Sequence, residues 1–197
     1  MHKYLIVLLI PIFLSSCGWL VGAGAATAGY IAAQDRTTGR VIDDTAIWSK
    51  LKSKLSEDSA KRFAHVNIKV NEARVLLAGH VHTRQARLDC TKLVWDIEGV
   101  KEVINDIQIS ENNNNTLGNY SRDTWITTKI KSKLLVADQV KSANYSIDTI
   151  DGVVYIMGIA ESKAEIERVC DVARKQLHVK KVISHIRLKE DFLRRQE

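Results

Sequence analysis

The chain carries one pattern twice. Asp44-Thr45-Ala46-Ile47 opens a stretch that runs to Lys52-Ser53-Lys54-Leu55, and Asp123-Thr124-Trp125-Ile126 opens another that runs to Lys131-Ser132-Lys133-Leu134. The copies stand 79 residues apart, and the spacing holds without a gap: Val75 matches Val154, Gly79 Gly158, Val100 Val179, Val103 Val182 and Ile107 Ile186. An internal repeat of this length means two small modules of one kind. Positions where the copies differ then become pointers to function.

Each copy reads helix, strand, strand, helix, strand. In the first, Asp43 or Asp44 is placed to cap a helix whose Ile47, Leu51 and Leu55 share a face. Val66, Ile68 and Val70 alternate, Asn71-Glu72-Ala73 turns the chain, and Val75, Leu77 and Gly79 return it. Thr83 opens a second helix with Cys90, Leu93, Val94 and Ile97 on one face; Glu98-Gly99 ends it, and Val100 to Ile109 supplies the last strand. In the second copy Asp123 caps a helix striped by Ile126, Ile130 and Leu134, and Tyr145, Ile147 and Thr149 alternate. Asp151-Gly152 is a hairpin signal before Val154, Ile156 and Gly158. Ser162 opens a helix with Ile166, Val169, Ala173 and Leu177, ahead of a strand from Val179 to Leu188. The fold class is α+β, two αββαβ modules in tandem.

The N-terminus sets the compartment. His2-Lys3 precedes an apolar run, Tyr4 to Leu14, too short to span a bilayer as a mature helix. It closes on Leu14-Ser15-Ser16-Cys17, which resembles a bacterial lipobox: small residues pass the peptidase, and the thiol accepts the lipid. Residues 1–16 are then a lipoprotein signal peptide and Cys17 the lipidation site, with palmitate among the acyl chains. Burial of such chains adds about 0.8 kcal/mol per CH₂. An ordinary secretory signal with a chance cysteine is the competing reading. Gly18 stands where aspartate would favour the inner membrane, so the address resembles the outer membrane, facing the periplasm. Residues 17–42 read as a Gly/Ala-rich membrane-proximal spacer, 43–110 and 122–189 as the modules, 111–121 as an Asn-rich linker and 190–197 as a charged tail. The net charge of +6 favours acidic partners, anionic lipid head groups included. Nucleic acid is excluded by compartment. Cys90 and Cys170 each fall in the second helix of a copy, among apolar neighbours. Buried free thiols are the plain reading, and a bridge between the modules stays open because a disulfide depends on geometry.

The glycine late in each hairpin (Gly79, Gly158), the helix that follows and the Val-x-x-Val strand start (Val100-Lys101-Glu102-Val103, Val179-Lys180-Lys181-Val182) resemble the BON domain. With Cys17, two copies and the run Asp123-Thr124-Trp125-Ile126-Thr127-Thr128-Lys129, the chain resembles the dual-BON-domain outer-membrane lipoproteins of Gram-negative bacteria. That resemblance implies helices packed on a small mixed sheet, binding to phospholipid membranes, a role in outer-membrane integrity and association with division sites.

No nucleophile elbow, P-loop, HExxH or paired metal-ligand signature occurs in the sequence. No catalytic residue, cofactor or metal is expected. His80 and His82 read as a solvated strand end, His65, His178 and His185 are scattered, and Asp151 belongs to its turn. The first helix of the second copy is different. Trp125 points about 140° from the centre of the Ile126-Ile130-Leu134 stripe, and the other copy has Ala46 there, so the fold does not demand an indole. Thr128, Lys129, Ser132 and Val136 lie on the same broad side, with Lys133 able to widen the basic patch. An indole beside lysine suits a bilayer interface. Packing between the modules or an isolated surface aromatic are the other accounts of Trp125. Trp48 flanks its stripe and reads as partly buried; Trp95 falls opposite its core face, where it could pack on the other module.

The sequence therefore reads as a periplasmic, non-catalytic lipoprotein that binds anionic phospholipid membrane through its second module. The alternative is an adaptor for outer-membrane assembly, division or peptidoglycan-remodelling proteins.

Overall fold

The structure, a computed structural model, describes residues 38–59, 61–110 and 117–191. Cys17, the signal peptide, most of the spacer and the tail from residue 192 lie outside the described residues. Domain 1 comprises α1 (Thr38–Ser59), β1 (Val66–Asn71), β2 (Arg74–Val81), α2 (Arg84–Trp95) and β3 (Glu102–Ile109). Domain 2 comprises α3 (Leu117–Leu135), a 3₁₀ turn (Ser142–Asn144), β4 (Tyr145–Ile150), β5 (Val153–Ala160), α4 (Lys163–Arg174) and β6 (Lys181–Leu188). In each domain an antiparallel hairpin is joined, through the second helix, to a parallel third strand. Each is an αββαβ unit with a three-stranded mixed sheet.

The helices cover one sheet face. Ile47, Leu51 and Leu55 meet Val75, Leu77, Cys90, Val94 and Ile107 in one core; Ile126, Ile130 and Leu134 meet Val154, Ile156, Val169 and Ala173 in the other. Thr83 and Ser162 cap α2 and α4, their hydroxyls accepting from Ala86 N and Glu165 N at 3.1 Å. Leu177 is not on the core face: α4 ends at Arg174, and Gln176, at the position of Ile97, takes the buried place. Leu177 is left 66% exposed.

Cys90 and Cys170 are buried and unbridged, and desolvation pushes the Cys90 thiol up to about 12. Reaction needs the thiolate. In a Cys17→Ser chain, Cys90 is expected to resist a disulfide reagent at pH 8 until denaturant is added. Prompt labelling of Cys90 in the folded protein would contradict its placement.

The repeated aspartates are not helix caps. Both first helices start earlier, at Thr38 and Leu117, which leaves Asp44 and Asp123 within them and aimed inward. Asp44 accepts from Glu72 N and Ala73 N at 2.8 Å each; Asp123 accepts from Asp151 N at 2.6 Å and Gly152 N at 3.0 Å. Those are the two central residues of each hairpin turn, all four at positive φ. A primed turn aims two adjacent N–H groups in one direction, and a carboxylate takes both. The added first turn is tied to the same hairpin in both copies. Arg40 reaches Glu72 at 2.9 Å, and at the equivalent positions Asn119 reaches Asp151 at 3.4 Å.

The two sheets pack face to face. Nearly all of β2 and β5 is buried, because alternate residues serve different cores. Leu76, Ala78, Tyr155 and Met157 form a third apolar cluster, flanked by Ile104, Ile150, Val153 and Ile183. Leu76 and Tyr155 are equivalent positions, as are Ala78 and Met157, and Ile104 and Ile183. The domains are thus related by a local two-fold. Polar contacts rim the cluster. His80 Nε2 lies 2.5 Å from Asp151 Oδ2, and His185 Nε2 lies 2.7 Å from Asp106 Oδ2. Arg74 donates to His185 O at 3.0 Å and to Glu102 at 2.9 Å, and Glu102 also pairs with Arg187. Asp148 accepts from Asn67 at 2.9 Å, with Lys69 Nζ at 3.8 Å. Asp106 and His185 are equivalent positions, and so are Lys69 and Asp148. His80 is therefore not a solvated strand end; the second sheet covers it. Nor does Trp95 join the domains: they meet through their sheets, and Trp95 is 52% exposed.

Candidate functional site

Helix α3 holds its core stripe against the sheet and turns the opposite side outward. Three hydroxyls on this outer half are satisfied locally. Thr124 donates to Tyr120 O, Thr128 to Thr124 O and Ser132 to Thr128 O, each at 2.8–2.9 Å. Such i−4 bonds turn hydroxyl protons inward, so the surface has fewer donors than its composition suggests.

Trp125 stands among these residues, 44% exposed. Lys129, one turn on, places its ammonium 5.8 Å from the centre of the indole ring, within cation–π reach. Ser132 and Val136 continue the line along the helix, and Val136, just past the helix end, is 85% exposed. Lys133 is exposed about 80° around the helix from Trp125. Leu135, 73% exposed, lies on the Thr128 side. Trp125, Thr128, Lys129, Ser132 and Val136 thus share one broad outer face, and Trp125 is not in the interdomain cluster.

Sequence reasoning missed Leu135 and Leu177. In domain 1, Ala46, Lys50, Glu98, Gly99 and Lys101 line one cavity of about 350 Å³ beside α1. Their equivalents are Trp125, Lys129, Leu177, His178 and Lys180. Where domain 1 has a hollow with a small residue at its edge, domain 2 has an indole, a leucine and three basic side chains. The repeat offset carries that signal, with Leu177 at the position of Glu98.

A second concavity runs beside this face. An open groove of about 840 Å³ lies between β1 and α3, lined by His65 and Asn67 from domain 1 and by Tyr120, Thr124, Thr128 and Lys131 from domain 2, among others. Desolvation, and then the nearby Lys69 ammonium, lower the pKa of Lys131, opposed by Asp148.

Among the described residues, no group of three or more His, Cys, Asp or Glu is placed to hold a metal ion. Among them, too, no helix is long and apolar enough to cross a membrane.

The BON domain family model matches residues 43–111 and 122–190. The chain is 34% identical over 185 residues to the outer membrane lipoprotein DolP of Haemophilus influenzae, covering 93% of this chain and 94% of that one. It is 39% identical over 154 residues to an uncharacterized protein of Anaplasma centrale, 78% of this chain and all of the other. It is 29% identical over 151 residues to the osmotically-inducible protein Y of Escherichia coli, 77% and 75% of the respective chains. Two BON modules packed sheet to sheet, with a relative matched over almost its whole length, place this chain in the BON-domain family, among the dual-BON-domain outer-membrane lipoproteins.

Proposed function

We propose that this protein is a non-catalytic reader of anionic phospholipid at the outer membrane, working through the outer face of α3 and supporting envelope integrity at division sites. One observation carries the reading: Trp125 and Val136 stand exposed on one helix face with a lysine at the indole. Indole sits at head-group depth in bilayers, and each nearby lysine adds about 1 kcal/mol on an anionic surface. Leu135 and Leu177 extend the apolar area. Cys17, acylated, supplies the other attachment and keeps the face at high local concentration beside the membrane. The outer-membrane address rests on the likeness to the DolP lipoprotein, and the division role on the family resemblance.

The test is flotation of the non-acylated Cys17→Ser chain with vesicles containing anionic phospholipid. Removing the exposed part of one indole forfeits about 2 kcal/mol of apolar burial, so Trp125→Ala is expected to weaken partitioning about thirtyfold. Melting should be unchanged, because the equivalent position in domain 1 is alanine. Unchanged flotation of the variant would reject this face. Failure of the unmutated chain to float would move the search to a protein partner.

A further inference from the structure

We infer that the groove between β1 and α3 is the head-group subsite of this face, taking the phosphate of an anionic phospholipid between Lys131 and Lys69, so that domain 1 supplies part of the lipid site. The inference rests on the proposed contact face and adds to it a place for the lipid's charge.

Three observations carry it. The groove adjoins the contact face, with Thr128 belonging to both. A lipid whose chains lie toward Trp125 and Leu135 would have its phosphate beside the mouth of this groove.

The charges within the groove are unbalanced in the right sense. Lys131 and Asp148 line the groove, and Lys69, with its Nζ 3.8 Å from Asp148 Oδ1, lies close enough for its charge to lower the Lys131 pKa. That carboxylate is shared again with Asn67. The other groove carboxylate, Asp123, is turned into the hairpin, accepting from Asp151 N and Gly152 N. A phosphate between the two ammonium groups replaces a repulsion with two attractions.

The hydroxyls confine where an anion can sit. Thr124 and Thr128 donate to main-chain carbonyls, and Thr127 donates to Thr149. Their protons are committed, so Lys131 is the positively charged side chain of the groove lining that an anion would meet, with Lys69 beside Asp148 at its edge.

Domain 1 has no second copy of this arrangement. The equivalents of Thr127 and Asp148 are Trp48 and Lys69, so the lining is not repeated at those positions.

The test uses the Cys17→Ser chain and its Lys131→Gln and Trp125→Ala variants, with zwitterionic vesicles, anionic vesicles and inorganic phosphate as probes. Lys131 is exposed, and Lys131→Gln should fold and melt as the parent does. Lys131→Gln is expected to lose about fivefold in binding to anionic vesicles and nothing on zwitterionic ones. Trp125→Ala should lose binding to both. Amide NMR shifts of Ala64, His65 and Asn67 should follow addition of anionic lipid and vanish in Lys131→Gln. If Trp125→Ala weakens flotation but Lys131→Gln does not, and the domain 1 amides stay still, the contact face stands and the groove assignment fails. If inorganic phosphate moves those amides while Lys131→Gln floats fully, the groove is a soluble-phosphate site and the lipid assignment is overturned. If Trp125→Ala changes nothing, the contact face itself is wrong.

Discussion

Gly79→Ala is expected to unfold domain 1, with a loss of about 4 kcal/mol or more. A Cβ built on Gly79 would lie 2.0 Å from the main-chain oxygen of His65, at a φ of +125° that L side chains rarely adopt. Neither fault has a cheap remedy. The obstacle is backbone, and that same oxygen accepts from His80 N at 3.1 Å at the start of the β1–β2 pairing. Moving β1 aside would break this bond and disturb His80 where it meets Asp151 across the domain interface. The damage should therefore reach domain 2, and urea unfolding followed by circular dichroism should show the loss. Gly39→Ala is the control. It lies in α1 with nothing within 4 Å of a built Cβ, so helix propensity alone should make it neutral or stabilising by up to about 1 kcal/mol. A Gly79→Ala chain that melts with the parent would show that β1 does not close on β2 in this way.

Asp44→Ala is expected to cost about 3 kcal/mol, and more than Asp123→Ala. Each carboxylate holds two buried or half-buried main-chain N–H groups, and hydrogen bonds to a charged acceptor contribute about 1.5–3 kcal/mol apiece, less whatever water recovers. The turns beneath them differ. Asp151-Gly152 suits the left-handed conformation by itself. Glu72 and Ala73 adopt it at φ of 53° and 58° with a Cβ on both residues, at roughly 1 kcal/mol or more each. Domain 1 leans harder on its aspartate. Ala73→Gly should accordingly restore about 1 kcal/mol to Asp44→Ala in denaturant titrations. Equal losses at the two aspartates, or no rescue by glycine, would count against this account.

The repeat, the order of elements and the helix-facing cores were legible because amphipathic periodicity reports on one buried face at a time. The same habit hid the interface. Val75-Leu76-Leu77-Ala78 and Val154-Tyr155-Ile156-Met157 are continuous apolar runs, the mark of a strand covered on both sides. Counting only alternate residues left Leu76 and Met157 without a role and set His80 in water. The aspartates misled for a different reason. An acidic residue at the head of an apolar stripe looks like a cap, and only the hairpin's location shows what the carboxylate faces. At the candidate site, Trp125 was conspicuous against Ala46, whereas the groove depends on how two separate domains meet, and no local pattern encodes that.

The local two-fold carries a consequence for partner choice. Where equivalent positions face each other, two identical domains would bring like to like: Lys69 against Lys69, Asp106 against Asp106, or Asp148 against Asp148. In the tandem chain those same places read lysine opposite aspartate and aspartate opposite histidine. Juxtaposed like charges can cost several kcal/mol at an interface. The sheet face thus disfavours a second copy of its own domain relative to its sibling. Charges at the symmetry axis therefore favour the unlike pair over pairing of either domain with itself.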